Sequence, residues 1–148
     1  MSLIAGVIAK KLKFIPDERG RLVEILRRDD PFFTKFGQVY MTSAYPGIIK
    51  AWHYHRYQTD HFAVLAGMAK VALYDKREDS PTYQILNEFF LGDYHPLLIR
   101  IPPLVLHGFK ALGDREVLLL NCPTEPYNHQ SPDEYRLPAD SPAIPYSW

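Results

Sequence analysis

The 148-residue chain lacks several features that mark secreted, membrane or nucleic-acid-binding proteins. It has a single cysteine, Cys122, which cannot form an internal disulfide, so we expect a reducing, cytoplasmic compartment. No apolar stretch approaches the ~18 residues that a membrane-spanning helix requires, and residues 1–7 lack the pattern of a signal peptide. Lys+Arg and Asp+Glu both total 17, so the zero net charge favours neither a nucleic-acid nor a membrane-surface partner.

A regular helical pattern of apolar residues is missing as well. Short apolar or alternating runs recur instead, separated by turn residues drawn from 13 prolines and 8 glycines. This pattern is typical of an all-β sandwich or barrel. The predicted strands are residues 9–14, 22–26, 36–43, 48–55, 60–66, 69–75, 83–90, 97–101, 105–110 and 116–121. Short helical turns are predicted at 30–34 and 131–135.

Nothing in the composition divides the chain. Hydrophobic residues make up 47% of it, which is enough for one core, and no repeat, low-complexity tract or linker is present. We therefore predict a single domain over residues 1–148. The proline- and aromatic-rich segment 123–148 is expected to wrap over the barrel.

The most informative segment runs from Gly47 to Gly67 and carries His53, His55 and Asp60 between the two glycines. On a strand, residues two apart point to the same side, so the two histidines can face one space. A short bend can bring the Asp60 carboxylate back to that space.

A fourth histidine, His107, follows a later Pro-Pro turn and completes a set of three imidazoles and one carboxylate. Such a set suits a divalent transition metal such as Zn, Fe, Mn or Ni. The predicted metal ligands are His53, His55, Asp60 and His107. The alternative is that these side chains line a polar pocket without metal.

The spacing resembles the two motifs of the cupin superfamily. In the first, Gly is followed after five residues by His-x-His, then by Glu and Gly, and here Asp60 stands at the glutamate position. In the second, Pro102 and His107 match, while Leu104 replaces a glycine. The resemblance implies a cupin double-stranded β-helix, that is, a jelly-roll barrel.

Further segments along the whole chain match one cupin family. They are residues 17–21 with Glu24, 36–38, 49–54, 75–77, 80–82, 101–103, 107–109 and 140–148. With these segments the chain resembles the dTDP-4-dehydrorhamnose 3,5-epimerase family. The resemblance implies an isomerase of a 4-keto-6-deoxyhexose nucleotide in polysaccharide biosynthesis. It further implies no required cofactor, a small-molecule nucleotide sugar as partner, and a homodimer.

Family chemistry assigns roles to particular positions. A general base removes a proton beside the C4 ketone, and a proton returns from the opposite face. The resemblance places His53 as the base and Asp140 as its carboxylate partner, or Ser141 at that position should the tail alignment shift by one residue. It also implies that His107 contacts the substrate.

Three cations are predicted to contact the pyrophosphate, namely Arg19, Arg21 and Lys50, since such side chains pair well with phosphate oxygens. Simple alternation along a strand places Lys50 on the opposite side from His53 unless a β-bulge intervenes. For the two arginines, a solvated turn or a salt bridge is the alternative.

Three departures from the family pattern bear on the chemistry. Asp60 occupies the position of the family's lysine, His55 replaces a glutamine, and the family's tyrosine falls near Leu120. A carboxylate alone would repel an enolate, whereas a bound metal could polarise the C4 oxygen. We therefore expect an epimerase acting at one carbon or at two, and we advance as a hypothesis that a bound metal replaces the family's lysine. The alternatives are a metal-dependent cupin for another small substrate and a non-catalytic sugar-nucleotide-binding cupin.

Overall fold

Antiparallel strands form the whole regular structure in the computed structural model, which describes residues 2–148. Within that range there is no helix, so the short helical turns predicted at 30–34 and 131–135 are wrong. At the first, a turn closes with one hydrogen bond from the Phe33 N–H to the Asp30 carbonyl. The second ends in a short strand that pairs with a neighbour. No helix among the described residues could cross a membrane.

Twelve strands are present, and most have an apolar face. They are β1 Ile8–Lys11, β2 Phe14–Asp17, β3 Gly20–Val23, β4 Tyr40–Ala44, β5 Ile49–Tyr54, β6 Asp60–Ala66, β7 Met68–Asp75, β8 Leu86–Gly92, β9 Leu97–Ile101, β10 Val105–Leu112, β11 Val117–Asn121 and β12 Tyr135–Arg136.

Two five-stranded sheets enclose the interior. Sheet I has the order β1-β9-β6-β11-β4, and sheet II has the order β12-β5-β10-β7-β8. Strands β2 and β3 form a separate hairpin. The all-β prediction is confirmed, and its alternating strands explain why one side of each sheet is apolar.

The main core lies between the sheets and combines side chains such as Val71 and Leu91 of sheet II with Ile99 and Leu119 of sheet I, all fully buried. A second cluster covers the outer face of sheet II. There Trp52 packs against Tyr146 and Trp148 of the C-terminal segment. Burial of these large aromatic side chains holds the segment against the sheet.

A β-bulge in β5 decides which side chains face the interior. His53 pairs with His107 of β10, but Lys50 pairs with Phe109, so three steps on β5 match two on β10. Gly108 lies opposite the bulge, where a Cβ atom would come within 2.3 Å of the Ala51 Cβ. The extra residue therefore lets Lys50 and His53 face the same space. The Ala51–Trp52 peptide bond within the bulge is cis.

Candidate active site

A cavity of about 1200 Å³ opens at one end of the space between the two sheets. Sheet I contributes Tyr40 and Thr42, and sheet II contributes Lys50, His53 and His107. The segment 125–137 forms most of the rim. The same interior that is apolar at its other end is therefore polar here.

The Asp60 carboxylate is 1% exposed and lies against His55 and His107, two residues that line this cavity. Its Oδ1 atom accepts hydrogen bonds from the side-chain amides of Gln58 at 2.7 Å and Asn121 at 2.9 Å. Its Oδ2 atom lies 3.1 Å from His55 Nε2 and 3.2 Å from His107 Nε2. We call Asp60, His55 and His107 the Asp60 cluster.

Backbone carbonyls orient both imidazoles of the cluster. The Nδ1 atom of His55 contacts the carbonyl oxygen of Asp133, and that of His107 contacts the carbonyl oxygen of Val105 at 3.0 Å. A carbonyl only accepts, so each Nδ1 carries the proton and each Nε2 is turned towards Asp60. Metal-binding histidines are commonly fixed in the same way.

Asp133 also shapes the bend that carries His55. Its carboxylate accepts the backbone N–H groups of Arg56 at 2.7 Å, Tyr57 at 2.9 Å and Gln58 at 3.2 Å. Burial alone would raise the pKa of Asp133, but these hydrogen bonds outweigh burial and lower it. The loop between β5 and β6 is thus held by a carboxylate from the C-terminal segment.

Burial and neighbouring charge shift the pKa values of the cluster residues in opposite directions. Burial alone would raise the pKa of Asp60, but its contacts with His107 and His55 outweigh burial and keep the pKa well below its usual range. Burial would lower the pKa of His55, but the contact with Asp60 raises it to about 8. The carboxylate therefore stays ionised in the protein interior.

The cluster has the donor set of a metal site. Neither imidazole contact is aligned as a hydrogen bond, so Asp60 Oδ2 and His107 Nε2 are buried without a hydrogen-bond partner. The candidate ligand atoms of His55, Asp60 and His107 lie within 4.8 Å of one another. Two nitrogens and one oxygen suit zinc and similar transition metals. His53 lies outside this group, which corrects the predicted set of four ligands to three.

His53 lies beside the cluster, but its side chain makes no hydrogen bond with any residue from 2 to 148. Its ring centroid is 5.1 Å from that of His107, and the two rings are nearly perpendicular. Burial, followed by the charge of His107, lowers the pKa of His53 to about 3. The imidazole is therefore neutral at neutral pH, which is the form that accepts a proton.

The carboxylate predicted to steady His53 is not beside it. Asp140 is exposed and has no ion pair within the described chain. Ser141 is buried and takes part in a backbone turn with Pro138. The physical reason is that the backbone around residues 139–141 follows the outer face of sheet II, where the Trp52 indole donates to the Ala139 carbonyl.

The three cations predicted to contact pyrophosphate lie in two different places in the structure. Lys50 lines the cavity, because the bulge turns it inward, and its Nζ donates to Thr42 Oγ1 at 2.9 Å. Arg19 and Arg21 lie on the β2–β3 hairpin, outside the cavity of their own chain. There Arg21 pairs with Asp93 at 2.9 Å and Arg19 pairs with Asp17.

Sequence reasoning missed three polar side chains around Asp60, namely Gln58, Asn121 and Tyr40. Asn121 Oδ1 accepts the His61 backbone N–H at 2.9 Å, and its Nδ2 donates to both Asp60 and the Tyr40 hydroxyl at 2.9 Å. Burial and then the Asp60 charge raise the pKa of Tyr40 to about 12. For Asn121 the sequence offered one signal, since a side-chain amide ends the otherwise apolar strand β11.

His61 faces away from the cavity, as strand alternation predicts for the neighbour of Asp60. Its Nδ1 contacts the Cys122 carbonyl at 2.8 Å, and its ring stacks near Phe32. Burial lowers the pKa of His61. It is therefore not a fourth member of the Asp60 cluster.

Comparison with known proteins places this geometry in a family. Residues 15–135 match the family described as the polysaccharide biosynthesis C-terminal domain. The chain belongs to this family. It is 40% identical over 99% of its length to the spore coat polysaccharide biosynthesis protein SpsL of Bacillus subtilis, and covers 97% of that protein. It is 43% identical over its full length to the probable low-salt glycan biosynthesis epimerase Agl13 of Haloferax volcanii, and covers 96% of it.

Solved structures agree with the family assignment. A dTDP sugar isomerase from Desulfovibrio desulfuricans is 40% identical, with a TM-score of 0.93 over 98% of this chain and 92% of that one. The rmlC epimerase of Mycobacterium tuberculosis, 23% identical, has a TM-score of 0.85 over 97% of this chain and 74% of that one. The latter establishes the fold alone. The predicted cupin jelly roll and the predicted resemblance to sugar-nucleotide epimerases are both confirmed.

Proposed function

We propose that the protein is an isomerase of a 4-keto-6-deoxyhexose nucleotide, such as a dTDP sugar, in polysaccharide biosynthesis. It inverts the configuration at a carbon next to the C4 ketone. The observation that carries the proposal is the half-buried His53 imidazole, which has no hydrogen-bond partner among residues 2–148 and lies beside the Asp60 cluster in an open cavity. The 40% identity to a dTDP sugar isomerase supports the substrate class.

His53 is the proposed base. A C4 ketone acidifies the neighbouring C–H groups, so a neutral imidazole beside the sugar can remove such a proton. His53 has no acceptor of its own among the described residues, which leaves a ring nitrogen free for the substrate. The enolate that forms needs positive charge near its oxygen.

Lys50 is the proposed contact for an anionic group of the substrate. Its ammonium group donates to the neutral Thr42 hydroxyl and has no ion pair within residues 2–148. The other cavity cation, Arg136, is already paired with Glu134 at 2.7 Å. A phosphate oxygen would therefore meet an unneutralised charge at Lys50.

We further propose that His55, Asp60 and His107 hold a divalent transition metal. The donor types, the buried unpartnered atoms and the carbonyl-fixed imidazoles all support this set. When bound, such an ion supplies positive charge that favours an oxyanion nearby. Asp60 offsets part of that charge, and Gln58 and Asn121 hold the carboxylate in place.

Deuterium exchange tests the isomerase proposal. The protein is incubated with a dTDP-4-keto-6-deoxyhexose in heavy water, and C3 and C5 are followed by NMR. We expect exchange and inversion in the wild type and a loss of about 10²–10⁴-fold in His53→Asn. The control is His95→Gln, because His95 lies outside the cavity and contacts only the Phe90 carbonyl. Bound substrate without exchange at either carbon would favour the non-catalytic binding protein instead.

Elemental analysis tests the metal proposal separately. Protein purified without chelators is expected to carry roughly one equivalent of a single transition metal, and His55→Gln and Asp60→Asn to carry much less. His95→Gln again serves as the control. Less than about a tenth of an equivalent in the wild type, unchanged in the variants, would mean that the cluster works as an ion pair without metal.

We also propose a cytoplasmic homodimer working as a single cupin domain over residues 1–148. The supporting observation for the dimer is a row of exposed apolar side chains on and before β4, the last strand of sheet I, namely Phe36, Val39 and Met41. Light scattering of the wild type and of Met41→Lys tests it. A wild type with the mass of one chain would contradict the dimer.

A further inference from the structure

Inversion at carbon requires two proton sites on opposite sides of the sugar. The base takes a proton from one face, and a second group must deliver one to the other face. The proposed base, His53, belongs to β5 of sheet II. If the proposed isomerisation occurs, the donor must therefore come from sheet I, which forms the facing wall of the cavity.

Tyr40 is placed on that facing wall. It lies on β4 of sheet I, and Tyr40 and Thr42, two residues apart, both line the cavity. Its side chain is 40% exposed, so it can reach both substrate and water. Its hydroxyl oxygen accepts a hydrogen bond from Asn121 Nδ2 at 2.9 Å, which fixes its position.

The direction of this hydrogen bond leaves the phenolic proton free. Asn121 Oδ1 is occupied by the His61 backbone N–H, so its NH₂ group must face Tyr40 and Asp60. Tyr40 is thus an acceptor from Asn121, and no acceptor for its own O–H occurs within residues 2–148. That proton is therefore free to point into the cavity, which Tyr40 lines.

Other tyrosines border the cavity but lack this arrangement. Tyr57 is 76% exposed and Tyr127 is 45% exposed. Neither makes a side-chain hydrogen bond to another described residue, and Tyr127 packs its ring against His129. Tyr40 alone of the three is tied through one amide to the Asp60 cluster.

We propose that Tyr40 is the catalytic acid that protonates the enolate on the face opposite His53. The Tyr40 O–H bond breaks as a C–H bond forms at the inverted carbon. The electron pair of the enolate C=C forms this bond, and the C4 carbonyl re-forms. His53 is left with the proton it removed, and the phenolate regains one from water, so that both groups return to their starting states by exchange with solvent.

Tyr40→Phe separates proton removal from inversion, because His53 remains able to take a proton and return a deuteron to the same face. With a dTDP-4-keto-6-deoxyhexose in heavy water, we expect inversion to fall about 10²–10⁴-fold. Exchange with retention at the same carbon is expected to stay within about threefold of the wild type. The control is Tyr45→Phe, an exposed tyrosine in the turn after β4 and outside the cavity.

Each other outcome has a definite meaning. Inversion in Tyr40→Phe close to that of Tyr45→Phe overturns the assignment, as does an equal loss of exchange and inversion, which would mark Tyr40 as a structural or binding residue. A larger loss of inversion in Tyr57→Phe or Tyr127→Phe assigns the acid to the rim instead. A wild type that exchanges no proton at all contradicts the isomerase proposal itself. Thermal unfolding of Tyr40→Phe checks that the variant is folded.

Discussion

Two buried aspartates, Asp75 and Asp60, show how differently one chain treats the same chemical group. Asp75 is 0% exposed and Asp60 is 1% exposed. Every donor to Asp75 comes from the turn that follows it, with Arg77 Nε at 2.7 Å, Ser80 Oγ at 2.6 Å and Thr82 Oγ1 at 2.7 Å. At Asp60 one oxygen is bonded and the other faces two imidazoles without an aligned hydrogen bond.

The Asp75 network closes on itself and ties down the N-terminal segment. Arg77 Nη2 donates to the Ala5 carbonyl, and the Ala5 N–H donates to Thr82 Oγ1, both at 2.8 Å. A buried carboxylate whose oxygens are all hydrogen-bonded within the protein serves the fold, whereas an oxygen without an aligned hydrogen bond is available to a ligand. We infer that Asp75 serves the fold and Asp60 serves the chemistry.

The largest expected effect is on stability, from Asp75→Ala. The change leaves the Arg77 guanidinium and two hydroxyls without their acceptor, so the free energy of unfolding should fall by about 3–5 kcal/mol. Urea denaturation measures it. Asp79→Ala is the matched control, since Asp79 is exposed in the same turn. If Asp75→Ala lost no more stability than Asp79→Ala, Asp75 would not serve the fold as we infer.

The next effect is on catalysis, from Asp60→Asn. An asparagine can keep its oxygen towards the Gln58 and Asn121 amides, so we expect the variant to stay folded and to lose less stability than Asp75→Ala. Loss of the charge should lower the inversion rate at least about hundredfold. Turnover assays and urea denaturation are run on the same sample. Full activity with greatly reduced stability would mean that the roles of the two aspartates are reversed.

Acid should act on the fold through Asp75. Burial would raise the pKa of Asp75, but its hydrogen bonds with Arg77, Ser80 and Thr82 lower it from 3.8 to about 2. A lowered pKa stabilises the protein above pH 3.8, and this contribution is lost as the pH falls towards 2. The contribution is about 2 kcal/mol. Unfolding of the wild type between pH 5 and 2 should therefore be steeper than that of Asp75→Asn, and equal slopes would contradict it.

The smallest effect expected is from Ser80→Ala, which removes one donor and leaves Arg77 and Thr82 on the carboxylate. We expect the free energy of unfolding to fall by about 1 kcal/mol. Gln58→Met likewise removes one donor from Asp60. We expect it to lower the free energy of unfolding by a similar amount to Ser80→Ala, but also to lower the inversion rate. Thermal unfolding and exchange assays compare them, and an inactive Ser80→Ala would contradict the division of roles.

The sequence predicted the presence of most strands more accurately than it predicted where each strand begins and ends. The predicted strands at 60–66 and 97–101 match β6 and β9, because their apolar runs end at clear turn residues. The strand predicted at 36–43 begins only at Tyr40, since Gly37 passes so close to the backbone of Glu125 that no Cβ would fit there. Strand β12 was missed because two residues carry no periodicity.

The candidate site was predicted where local spacing controls it and missed where tertiary contacts do. The His-x-His spacing and the later His107 predict one shared space, and His53, His55 and His107 line the same cavity. His53 is absent from the group whose ligand atoms lie within 4.8 Å of one another, a separation that sequence spacing does not encode. Asn121 and Tyr40 come together only through the pairing of β11 with β4. The resemblance at residues 75–82 reflects the Asp75 network and not the chemistry.

The bulge in β5 makes the length of that strand as important as its composition. Lys50 before the bulge and His53 after it both face inward. In a regular strand, residues three positions apart would face opposite sides. Deleting one residue between them would restore simple alternation and turn one of the two outward, whichever end kept its pairing. Substitutions at Ala51 or Trp52 leave the register of the strand in place, whereas a one-codon deletion would disconnect the proposed base from the proposed phosphate contact. Insertions and deletions in this strand should therefore be rarer among active relatives than substitutions.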